Sequence, residues 1–432
     1  MKLQNFTRSF VFTLISLTIL QTAQAQTPVT INSPLSQEVA TLRKQGAKGL
    51  QTFLKSHVPN ATIPDAETRA ALDTLCQQRD CYASRLYWYT DIEAAKAAAK
   101  ASNKPILSLR LLGRLDQDLS CANSRFFRVA LYPNAEISKL LSDRFILHWQ
   151  SVRPVPKITI DFGDGRQMER TITGNSIHYI LDASGRPIDA LPGLYGPKAF
   201  LNHLQQAEIA VKQYTKLSGS EREEFLRTYH RNRLNAIQTQ WLADLSKLGI
   251  KSPPRLVEIP VNVEPPRAET AGIIALSKSA VESPLLNAVQ SAQRNQNRLT
   301  EFTDQAAWNK IAQLYANDAK LDANSVALIK AKKFHTAKNA ADNLQKIVKN
   351  FEATMALDTV RNEYMLHNQI HQWFMQENQT NSVEELNEKV YAQLFLTPSS
   401  DPWLGLLPSD SYSGLDNDGI HQNSVEASKI KN

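Results

Sequence analysis

Cysteine is scarce in this chain. Three in 432 residues is an odd number, far below a disulfide scaffold, so the core must rest on packing with at most one internal bridge. Beyond the first 25 residues no apolar run reaches the roughly 20 residues of a membrane-spanning helix. Nor is there a block of lysine and arginine of the kind that grips nucleic acid, and the formal charge of +7 is spread along the chain. These absences exclude a multi-span membrane protein and argue against DNA or RNA as a partner. What is present is ordinary globular usage, 42% hydrophobic and 21% charged, which excludes a disordered or collagenous chain. The length suggests two or three domains at roughly 150 residues each.

Met1 to Arg8 carries two positive charges and no acid, Phe10 to Leu20 is apolar, and Ala23-Gln24-Ala25 places small residues where a signal peptidase reads. The pattern predicts a removable signal over residues 1–25 and an exported mature chain, periplasmic or secreted, in which disulfides are permitted. No cysteine follows the apolar run, so a lipid anchor is not indicated.

Residues 26–85 read as a small helical preface, with Leu35 to Ser56 as one helix and Asp65 capping another that runs to Cys76. In 86–215 the periodicity alternates. A helix capped by Asp91 precedes a strand at Ile106 to Leu112, and helices follow from Cys121 and Asn134. Phe145 to Gln150 is a strand, Gly163-Asp164-Gly165 turns a hairpin, strands cover Ile177 to Leu181 and Pro187 to Leu191, and Pro197 to Tyr214 is helical. That order is α/β. A long helix, read as capped by Ser220 with Glu223 and stopped by Gly249, and a proline-rich linker fill 216–268. Residues 269–396 read as a helical module and 397–432 as an extended tail; the large apolar residues of Phe395 to Pro398, at the junction, and of Pro402 to Leu406 suggest an arm docked on another surface.

Several residues in the α/β part carry a family likeness. They are Trp88, Asp91 to Ala95 before Lys104-Pro105-Ile106-Leu107, Cys121 at a helix start, Ile137 to Phe145, and Ile180 to Arg186 before the last strand. Over about residues 88–205 the chain resembles a thioredoxin-like domain. In redox-active members the motif is Cys-x-x-Cys; here it is Cys121-Ala122-Asn123-Ser124, and Ser124 cannot resolve a mixed disulfide. The resemblance therefore implies monothiol chemistry at most, a weak candidate for a thiol-disulfide oxidoreductase. The helix dipole, Arg125 and Arg128 would favour the thiolate. The loop where relatives keep a cis-proline falls at Asn175 and Ser176, which should face Cys121. Period two then puts His178 on the face of Ser176, where it could act as a base toward the thiol.

Cys76 and Cys81 are five apart, so a local bridge between them requires the helix to end near Gln78; the alternative is that one of them resolves Cys121. Glu363, His367 and His371 lie at four-residue steps on one helix, a spacing suited to a divalent metal, with Glu363, Asp401, Asp416 or Asp418 as a third ligand. No other cofactor is implied. Three readings stay open: a monothiol exchanger acting on a protein client or low-molecular-weight thiol, a non-catalytic binding or scaffold protein of the cell envelope, and a metal-binding helical module.

Overall fold

The computed structural model of the protein describes residues 34–59, 63–171, 174–251, 305–333, 340–376, 381–395 and 397–400. The expected signal, most of the proline-rich linker and the tail beyond 400, with Asp401, Asp416 and Asp418, lie outside the described residues.

The preface is helical, with α1 (Pro34–Arg43), α2 (Ala47–His57), α3 (Ala66–Cys76) and α4 (Cys81–Ser84). The single helix expected over its first part is two, because the chain turns at Gly46 with φ 66°. Asp65 caps α3 by accepting from the Thr68 amide. The helix ends at Gln77, which adopts the left-handed conformation at φ 55°, and that turn lets Cys76 and Cys81 form a disulfide.

The α/β unit follows as β1 (Trp88–Tyr89), α5 (Ile92–Ser102), β2 (Ile106–Leu112), α6 (Ala122–Phe126, continued as a π-helical turn, Phe127–Leu131), α7 (Ala135–Arg144) and β3 (Ile146–Arg153). The hairpin β4 (Lys157–Asp161) and β5 (Gln167–Thr171) leads to β6 (Ser176–Leu181), β7 (Pro187–Pro192) and α8 (Pro197–Tyr214). Five strands form one mixed sheet in the order β1-β3-β2-β6-β7. β1, β3 and β2 are parallel; β6 is antiparallel to β2, and β7 to β6. Every residue of β2, β6 and β7 is buried, so these strands are covered on both faces and read as apolar runs rather than alternations.

The helical part comprises α9 (Gly219–Leu248), α10 (Gln305–Leu314), α11 (Ala323–Lys333) and α12 (Ala340–Arg361). It continues through a π-helical segment (Asn362–His367) into α13 (Asn368–Phe374), and ends with α14 (Val383–Lys389) and a second π-helical segment (Val390–Leu394). The start of α9 differs from the sequence expectation. The Ser218 amide bonds the Glu221 carboxylate there at 3.4 Å, whereas Glu223 takes the Arg186 guanidinium in two contacts of 2.6 and 2.8 Å. The helical part does not stand apart as a bundle. One core of buried residues runs from Leu86 through the sheet to Phe395, while the preface has a separate small core around Phe53, Leu72 and Leu75. Arg110, the one charge in β2, reaches Glu384 of α14 at 3.1 Å. Among the described residues no helix is long and apolar enough to cross a membrane.

Candidate functional site

Two buried polar sites flank the last strands of the sheet. The first surrounds Cys121, the N-cap of α6, whose amide bonds the Leu112 carbonyl at 3.1 Å and so fixes the helix start to the end of β2. The thiol is fully buried. Its Sγ lies 2.7 Å from Ser176 Oγ, 3.4 Å from Ser124 Oγ and 3.5 Å from the Asn175 carbonyl. Asn175 and Ser176 thus face the cysteine as the sequence suggests, and no cis peptide occurs among the described residues. Asn123 donates its amide to the Gly174 carbonyl, which pins the same loop from the other end.

His178 does share the face of Ser176, but the expected Cys–His pair is not formed. Its Nε2 pairs with the Tyr132 hydroxyl at 2.8 Å, its ring packs against Phe127 and Phe200, and its Nδ1 has no partner among the described residues. Burial lowers its pKa to about 3, so the imidazole is neutral and enclosed. Arg125 binds the Ser120 carbonyl and Thr171, and Arg128 binds Asp80 and the Asp118 carbonyl. Cys76 and Cys81 belong to the preface core and are bonded to each other, so neither stands ready to resolve Cys121.

The pocket is closed by the carboxyl-terminal part of the chain. Tyr391 donates its hydroxyl to the Asn175 carbonyl at 3.1 Å, the same oxygen that receives the thiol, and Asn175 Nδ2 donates to Thr397 Oγ1 at 3.0 Å. Thr397, where the expected tail begins, is buried in this contact, and Phe395 just before it is buried as well; Pro402 to Leu406 lie outside the described residues.

The second site lies where β7, α8, α9 and the π-helical turn before α13 converge. His367 Nε2 is 3.2 Å from Asp189 Oδ1, and its Nδ1 is 2.9 Å from Glu363 Oε2. Tyr229 donates to Asp189 Oδ2 at 2.6 Å, His203 Nε2 lies 3.2 Å from Glu363, and His230 and His371 face each other through their Nδ1 atoms at 2.8 Å. Among the described residues two sets of donor atoms are close enough to hold a metal ion, Asp189 with His367 and His371, and His203 with Glu363 and His367. Burial opposes charge on His367, yet Glu363 and Asp189 beside it raise its pKa to about 9. Burial also opposes ionisation of Asp189, but its hydrogen bond to His367 and the nearby His371 and His230 hold its carboxyl well below the usual carboxylate range. For His371, burial and then the charge of His367 push the pKa well down.

Comparison with protein-family models, curated proteins and solved structures finds no match to this chain.

Sequence reasoning named His367, His371 and Glu363 but missed Asp189, His203 and His230. Asp189 had a signal: it is the only charge in the strand Pro187–Pro192, otherwise apolar and wholly buried. His203 and His230 sit on ordinary amphipathic helices, and nothing local marks them.

Proposed function

We propose that this chain is an exported binding or scaffold protein of the cell envelope, built on a thioredoxin-like unit that does no redox chemistry. The strand order β1-β3-β2-β6-β7, with a helix opening at Cys121 after the central strand, supports the thioredoxin-like reading. The amino-terminal charge and apolar pattern, together with the Cys76–Cys81 bridge, supports export. One observation carries the non-redox reading. The Cys121 thiol is sealed beneath Tyr391 and the Asn175–Thr397 contact, with Ser124 where a second thiol would stand. Monothiol exchange with a protein client or small thiol would need a thiolate open to attack, and this seal denies it. Labelling with a thiol reagent tests the reading. The native protein should leave Cys121 unmodified over a time in which the unfolded chain reacts fully; rapid labelling of the native protein would restore the exchange reading.

A second reading is favoured by Asp189. Its carboxylate joins two imidazoles of the helical part in one buried set, and we propose that this set binds a divalent metal. Elemental analysis of gently purified protein is the test, and metal-free protein would end that reading.

A further inference from the structure

Resting on that metal-binding reading, we infer that Asp189, His367 and His371 hold a single zinc-class ion that clamps strand β7 of the sheet to the carboxyl-terminal helices, with Glu363, Tyr229 and His230 as its outer supports. The first argument is spacing. Donors at 2.0 to 2.2 Å from a tetrahedral zinc ion stand about 3.3 to 3.6 Å apart. Asp189 Oδ1 and His367 Nε2 are separated by 3.2 Å, and the donors of the three residues all lie within 4.8 Å of one another.

The second argument is the outer shell. Metal-bound imidazoles give their other ring N–H to a carboxylate, a carbonyl or water, which fixes the tautomer and aims the lone pair at the ion. His367 meets this requirement through Nδ1 and Glu363 Oε2, and Glu363 is itself steadied by His203 at 3.2 Å and Arg233 at 3.6 Å. Asp189 keeps its second oxygen on the Tyr229 hydroxyl, which leaves Oδ1 as the single donor toward the ion. His371 has His230 against its Nδ1, and its Nε2 is buried with no partner among the described residues. A buried polar nitrogen without a partner is rare and costly, and a ligand at this ring removes the deficit.

The donor set decides the class of ion. Two imidazoles and one carboxylate suit zinc and its first-row neighbours rather than calcium or magnesium, which take all-oxygen shells. On binding, the ion takes the place of the proton on His367 Nε2, which is released to solvent. Asp189 and His367 are 178 residues apart in sequence, and Asp189 belongs to β7 whereas His367 closes the π-helical turn and His371 lies in α13. The ion would therefore join two parts of the core that the chain itself connects only distantly.

The test uses the full mature chain, with zinc as the added ion and cobalt as its spectroscopic stand-in. The wild type should carry about one zinc per chain, and its cobalt form should show the intense visible absorption of a tetrahedral site. Glu363→Gln should weaken zinc binding by about 10- to 100-fold. Asp189→Asn should abolish the cobalt spectrum, whereas His203→Gln should keep it with less than about tenfold weaker binding. Should Asp189→Asn fail to fold, His371→Gln provides the same contrast, because His371 belongs to only one of the two donor sets. His203→Gln, at a half-buried position, decides on its own if neither variant folds. Loss of the ion in His203→Gln with retention in Asp189→Asn or His371→Gln overturns this assignment in favour of the His203–Glu363–His367 set and leaves metal binding standing. A wild type that holds neither zinc nor cobalt overturns both.

Discussion

The thiol pocket and the histidine cluster are both buried and both polar, yet they are built on opposite principles. Around Cys121 the groups are neutral, and Ser176, Ser124 and the Asn175 carbonyl answer the thiol within the protein. Around His367 two carboxylates and several imidazoles crowd together, and His371 Nε2 is left without a partner among the described residues. A closed neutral pocket contributes packing. In the charged cluster the carboxylates of Asp189 and Glu363 and the imidazole of His367 favour one another's charged forms. The thiol is thus enclosed among neutral groups, while the seam between sheet and helices gathers the charge.

The strongest way to break this comparison is to remove a charge from the cluster. Asp189→Ala strands the Tyr229 hydroxyl and the His367 imidazole in the core. Breaking one partner of a buried ion pair costs about 3 to 5 kcal/mol, and the loss should appear as a lowered denaturant midpoint with an unchanged slope. A midpoint close to that of the wild type would mean that the cluster is no more demanding than the thiol pocket.

Part of this was legible in the sequence and part was not. Strand β2 and helix α8 have the bounds that periodicity and the flanking Pro105 and Pro197 indicate, because both are long and locally consistent. The facing of Asn175 and Ser176 toward Cys121 followed from the family likeness alone. The Cys76–Cys81 bridge needed only a helix end, and Gln77 supplies it. What could not be read is where distant segments land. Glu223 has the spacing of a cap yet goes to Arg186, since a guanidinium buried beside it outweighs a helix end that Ser218 and Glu221 already satisfy. His178 keeps the right face of β6 but is drawn to Tyr132, a residue no local pattern connects to it. The π-helical turn at Asn362–His367 depends on close approach to the sheet, where Gly193, at φ 75°, leaves room for Asn362 to bond the Leu194 carbonyl at 2.7 Å.

Acid sharpens the contrast from the other direction. His178 lies in the neutral region and its pKa falls from an ordinary value near 6.5 to about 3 through burial alone. Below pH 6.5 the unfolded chain takes up a proton that the folded protein refuses, so stability falls as the pH falls from 6.5 toward 3. Between pH 6.5 and 4.5 this one residue should remove about 2.3 kcal/mol. His178→Phe abolishes that part of the acid limb. It also leaves the Tyr132 hydroxyl unpaired, at a cost of about 1 to 3 kcal/mol at neutral pH. Urea midpoints across that range should therefore show the variant less stable at pH 7 and the gap closing in acid. Parallel profiles would show that His178 takes a proton in the folded state and that the region around the thiol is not the neutral enclosure described.

The smallest effect belongs to the residue with the most suggestive position. Cys121→Ser exchanges sulfur for a smaller oxygen in a site where the polar contacts of the thiol are hydroxyls and an amide carbonyl, and the new hydroxyl can keep those to Ser176 and the Asn175 carbonyl. The loss of packing volume is slight, so stability should change by less than about 1 kcal/mol. A pocket that only fills space tolerates such an exchange. If the thiol were a working nucleophile, serine would also fold, so stability alone cannot separate the two uses; Tyr391→Ala makes the separation. Removing that ring opens the Asn175 loop from the helical side. Cys121 should then label with a thiol reagent in the folded protein, at a rate set by exposure and no faster than an ordinary thiol. Labelling much faster than that would mean that an activated sulfur had been hidden behind Tyr391, and the neutral pocket would have to be counted as a site held shut.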